Sequence, residues 1–107
     1  MELKEKKCVP CEGGIDPFTE KEINEIKDKI DKKWEVVDNK KIKRDYSFDD
    51  FKESMSFVNQ VADIAEEDQH HPDFKVSYDS VTIELTTHAI GGLSENDFII
   101  ASKIDNI

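Results

Sequence analysis

Residues 74–85 constrain the fold more than any other stretch. Phe74, Val76 and Tyr78 alternate with polar residues, Asp79-Ser80 interrupts, and Val81, Ile83 and Leu85 alternate again. Side chains of period two share one face of a strand, so this pattern predicts an antiparallel hairpin with one apolar face. An isolated hairpin is marginal in water and needs a partner for that face. The residues just upstream supply one. Phe51, Met55, Val58, Ala62 and Ala65 form a helical stripe, widened by Phe57, Val61 and Ile64. A stripe of that width predicts a helix buried on more than one side. It should start near Ser47, three residues before Asp50, and end near Glu67, because Pro72 cannot continue a helix.

The flanking segments complete the pattern. Thr19 and Glu22 have capping-box spacing, and Phe18 is placed to staple onto Ile23. Ile23, Ile26 and Ile30 then mark one face of a first helix reaching about Lys33. Trp34-Glu35-Val36-Val37 reads as a short strand, Asp38-Asn39-Lys40 as a turn, and residues 41–48 as a second strand. Arg44 interrupts the apolar face there, which predicts a place near an edge or a subunit contact. Gly91-Gly92 ends the second hairpin, and Ser94 and Asp97 open a third helix with Phe98, Ala101 and Ile104 inward. The order α-β-β-α-β-β-α implies the α+β class, a four-stranded antiparallel sheet with three helices on one face. Residues 1–16 hold Pro10, Gly13, Gly14 and charges without an apolar period, so a flexible N-terminal tail is expected before a single domain over 17–107.

Leu, Ile, Val and Phe supply 28 of the 107 residues, enough for a small core. Small cores are often supplemented by self-association, so a homo-oligomer, at least a dimer, is expected. The net charge of −10 repels phosphate backbones, and Arg44 is the sole arginine, which argues against nucleic acid as a partner. No apolar run approaches the roughly 20 residues a bilayer requires, and MELKEKKCVPCEGG lacks the apolar core of a signal peptide. A soluble cytoplasmic protein with no membrane partner is expected.

Histidine is the side chain best suited to proton transfer near neutrality, and all three histidines lie between His70 and His88. His70 and His71 follow the second helix, close in sequence to Glu66, Glu67 and Asp68. Pro72 pushes His71 toward an extended backbone. By period two, His88 shares a face with Thr82, Glu84 and Thr86 and so points away from the core. Each residue also has a plainer reading: His70 as a helix-end cap, His71 as solvated, His88 as an exposed strand end, Asp97 as a helix cap. Cys8-x-x-Cys11 lacks the second pair a structural zinc site usually needs and the βαβ context of a redox motif. Two adjacent histidines before a proline make poor facial iron ligands. A resident metal is not expected.

Taken together, Glu66-x3-His70-His71-Pro72, five residues, Tyr78, nine residues, His88, eight residues, Asp97 resembles the signature of the pterin-4a-carbinolamine dehydratase family. The resemblance extends through Trp34, the stretch from Tyr46 to Phe51, Ala65-Glu66 and Gly92-Leu93-Ser94, covering about residues 18–105. The segment from Cys8 to Gly14 resembles the leader of many bacterial and plant members. Phe74 departs from the tryptophan many members carry, though it keeps an aromatic ring. The resemblance implies dimers joined through sheet edges, often paired into tetramers. It implies dehydration of 4a-hydroxytetrahydropterin to quinonoid dihydropterin without metal or cofactor, a step in tetrahydrobiopterin recycling. It further implies His70 and His88 as the acid–base pair, His71 mainly in substrate binding, and Asp97 and Glu66 in support. Some family members partner transcription factors, so a non-catalytic interaction module on the same fold is the rival expectation.

Overall fold

The structure, a computed structural model, describes residues 2–9 and 15–107. Its sheet has four strands in the order β1-β2-β4-β3, all neighbours antiparallel. The strands are β1 (Glu35–Val37), β2 (Lys41–Ser47), β3 (Asp73–Ser77) and β4 (Ser80–Leu85). Three helices accompany them, α1 (Glu20–Ile26), α2 (Phe51–Asp68) and α3 (Glu95–Asp105), so the expected α+β order holds. Two hairpins thus join along β2 and β4, with α2 carrying the chain from one hairpin to the other.

Register explains the burial. Ile42 pairs with Leu85, Arg44 with Ile83 and Tyr46 with Val81, so these side chains share the helix-covered face. Ile42, Val81, Ile83 and Leu85 are fully buried, joined by Ile23, Val61, Leu93, Phe98 and Ile100 from the helices and loops. The opposite face carries Lys43, Asp45, Thr82 and Glu84 and is polar.

Several local expectations are corrected. Helix α1 stops at Ile26 and tightens into a 3-10 turn, Lys27–Lys29, rather than running to Lys33. Its capping box is as read, with Thr19 accepting from the Glu22 amide and Glu22 from the Thr19 amide. Helix α2 is capped by Asp50, which accepts from the Glu53 amide, and not by Ser47. Its buried line is Ser54, Val61, Ala65 and Asp68, whereas Phe51 is half exposed. Ser54 replaces the expected Phe51 because its hydroxyl donates to the carbonyls of Asp50 and Tyr78, satisfying a polar group inside. The second hairpin turns at Tyr78-Asp79, one residue earlier than expected, since Ser77 pairs with Ser80. Strand β3 lies at the sheet edge, and Phe74 and Val76 stay 37% and 38% exposed on the side facing the helices.

Arg44 is neither at an edge nor exposed. It sits on central strand β2, and its guanidinium donates to Asp105 Oδ1 at 2.8 Å while lying 4.6 Å over the Tyr46 ring. Asp105 also accepts from Trp34 Nε1 and the Asp31 amide, so one carboxylate ties the end of α3 to β2 and to the segment before β1. The Asp31 carboxyl is held below its ordinary value, first by the Lys33 amide and further by Arg44.

Residues 2–9, where a flexible tail is expected, lie against α3. Leu3 and Cys8 are buried in the main core cluster, and Lys6 pairs with Glu95. Val9 and the Asn96 side chain exchange two hydrogen bonds. This cover explains why α3 buries Ile99 and Ile100 as well as Phe98, Ala101 and Ile104. The Cys8 thiol donates to the Asn96 carbonyl, and burial together with the nearby Asp68 carboxylate pushes it from 9.0 to about 12. Cys11 lies outside the described residues.

Candidate active site

The start of β3 and the end of β4 meet at one end of the sheet, because Asp73 is paired with Glu84. That register gathers the residues around His70 and His88, far apart in sequence, at a common rim. Each histidine reaches it by a different local device.

His70 is placed by the end of α2. Gln69 adopts the left-handed conformation (φ 53°), and the amides of Gln69 and His70 both return to the Ala65 carbonyl. A non-glycine residue there stores about 1 kcal/mol of strain. Gln69 offsets this by donating its side-chain amide to the Glu66 carbonyl and carboxylate. The reversal turns His70 back toward α3, where its Nε2 lies 2.7 Å from Asp97 Oδ1. Its side chain is 13% exposed, and Asp97 is fully buried.

Asp97 keeps both readings the sequence offered. Its Oδ2 accepts from the Ser94 amide at 3.0 Å, the carboxylate half of a capping box, and from Thr87 Oγ1 at 2.8 Å. An ionised carboxylate only accepts, so His70 Nε2 carries a proton toward Asp97, and in the neutral ring Nδ1 then holds the lone pair. The other two histidines are open to solvent. His71 Nε2 lies 3.4 Å from Glu66 Oε2, and His88 Nε2 lies 3.8 Å from Asp73 Oδ2. His88 points away from the core as expected, although it opens a 3-10 turn, His88–Ile90, and is not the end of the strand. Gly91 closes that turn at φ 67°, and a Cβ on Gly92 would stand 2.6 Å from the Pro17 ring.

The structure therefore joins His70 to Asp97, pairs His71 loosely with Glu66, and leaves His88 on the rim. Among the described residues no group of three or more His, Cys, Asp or Glu side chains is arranged to hold a metal ion. Grooves elsewhere, such as one of about 680 Å³ bordered by Ile30, Asp31 and Trp34, contain none of the histidines. Two residues escaped the sequence reading. Asp73 gave no signal beyond its charge. Thr87 did, since it continues the buried phase of Val81, Ile83 and Leu85 and so puts a hydroxyl where a partner is required.

Fold and rim together define a small α+β protein whose sheet end is rich in imidazole and carboxylate. A sequence profile described as pterin 4 alpha carbinolamine dehydratase matches residues 16–107, and the chain belongs to that family. A relative in Nitrosomonas eutropha, named "Putative pterin-4-alpha-carbinolamine dehydratase", is 45% identical over 104 residues, 97% of this chain and 91% of the relative. One of the same name in Rickettsia bellii is 42% identical over 103 residues, 96% of this chain and 91% of the relative. A crystal structure titled as a transcriptional coactivator/pterin dehydratase from Brucella melitensis superposes with TM-score 0.78 at 35% identity, covering 85% of this chain and 97% of that one. A pterin dehydratase-like protein described as a RuBisCO assembly factor in the alpha-carboxysome shares the fold alone, with TM-score 0.58 at 19% identity over 68% of this chain and 86% of that one. No helix among the described residues is long and apolar enough to cross a membrane.

Proposed function

We propose that the protein is a 4a-hydroxytetrahydropterin dehydratase that works by histidine acid–base catalysis in tetrahydrobiopterin recycling. The observation that carries this reading is the 2.7 Å contact between His70 and the buried Asp97. A solvated helix cap has no need of a fully buried carboxylate holding one ring nitrogen. In the reaction the carbinolamine C–O bond breaks while a ring N–H proton is removed and its electron pair forms a C=N bond. The oxygen takes up a proton and leaves as water, so nothing is oxidised or reduced and two imidazoles suffice. His70, with Nδ1 free to exchange a proton, and His88 form the acid–base pair. His71, steadied by Glu66, binds the pterin, and Asp97 holds His70.

The working form in this proposal is at least a dimer. Among the described residues strand β3 leaves one backbone edge unpaired, and it carries the exposed Phe74 and Val76, a surface that sheet continuation would cover. The reaction is tested by following quinonoid dihydropterin formation in the presence of a chelator. Acceleration over the spontaneous rate supports the proposal. An unaccelerated reaction shifts the reading to a protein-interaction module on this fold.

A further inference from the structure

Thr87 follows the last residue of β4 by two positions and precedes His88. It is 3% exposed, and its backbone is clamped to Gly92 by two hydrogen bonds of 2.9 and 3.4 Å. Gly92 is in turn pressed against Pro17, so this junction has little room to shift. The Thr87 hydroxyl touches two polar atoms, Asp97 Oδ2 at 2.8 Å and Ser94 Oγ at 2.8 Å. The direction of both bonds follows from proton counting. A carboxylate cannot donate, so Thr87 gives its single proton to Asp97, and the Ser94 hydroxyl must donate to Thr87. Two donor paths therefore converge on the carboxylate, Ser94 through Thr87 to Oδ2 and His70 Nε2 to Oδ1.

The two oxygens of Asp97 thus have separate duties. Oδ1 holds His70 Nε2, and Oδ2 is held by Thr87 and the Ser94 amide. With two donors fixing Oδ2, the carboxylate plane cannot rotate to offer His70 a different oxygen. We propose that Thr87 is a positioning residue of the His70–Asp97 pair, its hydroxyl fixing the carboxylate orientation that keeps the His70 proton on Nε2 and the lone pair on Nδ1. Since Thr87 is bonded directly to His88, it also ties the backbone of the second histidine to the carboxylate that serves the first. Its importance to turnover rests on the dehydratase reading, whereas its control of the His70 tautomer does not.

The test compares Thr87→Val, which keeps the branched shape but loses the hydroxyl, with Thr87→Ser, which restores it. In protein carrying 15N-labelled histidine, the His70 ring shifts are recorded at a pH where the ring is neutral. Steady-state kinetics and thermal melts accompany them. The expected result is a single Nε2–H tautomer in the wild type and a tautomer mixture in Thr87→Val. Turnover in Thr87→Val should fall on the order of 10-fold with little change in KM. Thr87→Ser should return both readouts toward the wild type. Should Thr87→Val not fold, Thr87→Ala, which places no branch against the carboxylate, carries the same comparison. Unchanged His70 ring shifts in a folded hydroxyl-free variant would overturn the proposal, as would equal losses in Thr87→Val and Thr87→Ser. If the wild type proves inactive on the pterin, the ring shifts still decide the role of Thr87.

Discussion

Asp97 Oδ1 lies 2.7 Å from His70 Nε2, across 27 residues of sequence, joining the reversal after α2 to the first turn of α3. The pairing makes the histidines unequal. His70 is 13% exposed and bonded to a buried charge, while His71 and His88 are 55% and 76% exposed. Removing each should therefore have a different signature.

His70→Ala and His88→Ala should each lower kcat on the order of 10²–10⁴-fold, with non-additive effects in the double variant because both serve one reaction. His71→Ala should mainly raise KM. The melts should separate them further: His71→Ala and His88→Ala leave stability unchanged, whereas His70→Ala strands the Asp97 carboxylate and costs about 1–3 kcal/mol. Steady-state kinetics with circular dichroism melts check all four variants.

The Asp105 hub should matter for stability alone. Asp105→Ala leaves Arg44 nearly buried without its closest carboxylate and removes the partner of Trp34 Nε1. A loss on the order of 3 kcal/mol is expected from urea denaturation. Replacing both charges, as Arg44→Met with Asp105→Leu, should cost less than the single change, since no unpaired charge then stays inside.

These two clusters mark the boundary of what the sequence discloses. Period-two and period-3.6 patterns reveal which segments are strands and helices, because they reflect local burial. Hydropathy puts Phe51 on the inward stripe of α2, yet Ser54 is the buried residue there through hydrogen bonds to Asp50 and Tyr78, which hydropathy does not register. The partners of Arg44 and the packing of residues 2–9 on α3 depend on contacts across 61 and 88 residues, and charge alone names no partner at that range. At the rim, the family resemblance singled out the histidines, Glu66 and Asp97. Only the fold shows that Asp97 faces His70 and that Thr87 stands behind it.

Alkaline solution should destabilise the protein through Cys8. Its thiol is raised from 9.0 to about 12 by burial and by Asp68. Below pH 9 folded and unfolded chains both keep the proton, and the contribution is whole. Between about 9 and 12 the unfolded chain releases it first, so stability falls by up to about 1.4 kcal/mol per pH unit. Tyr46, pushed up chiefly by burial, with Arg44 opposing and Asp105 and Asp31 adding, extends the loss above its ordinary value of 10. Urea midpoints at pH 8 and about 10.5 should drop more steeply in the wild type than in Cys8→Ala.

The edge of β3 should control assembly. Light scattering at micromolar concentration should find at least twice 12.3 kDa for the wild type. Val76→Lys, which places a charge on the exposed edge strand, should shift the protein toward monomer without lowering its fold content. A wild-type mass of a single chain would contradict the proposed dimer.

The most direct test of the central claim is stopped-flow formation of quinonoid dihydropterin from 4a-hydroxytetrahydropterin, with wild type, with the His70→Ala/His88→Ala double variant, and without protein. The account predicts marked acceleration by the wild type, with the folded double variant close to the spontaneous rate. A wild type no faster than buffer, or a double variant as fast as the wild type, would contradict it.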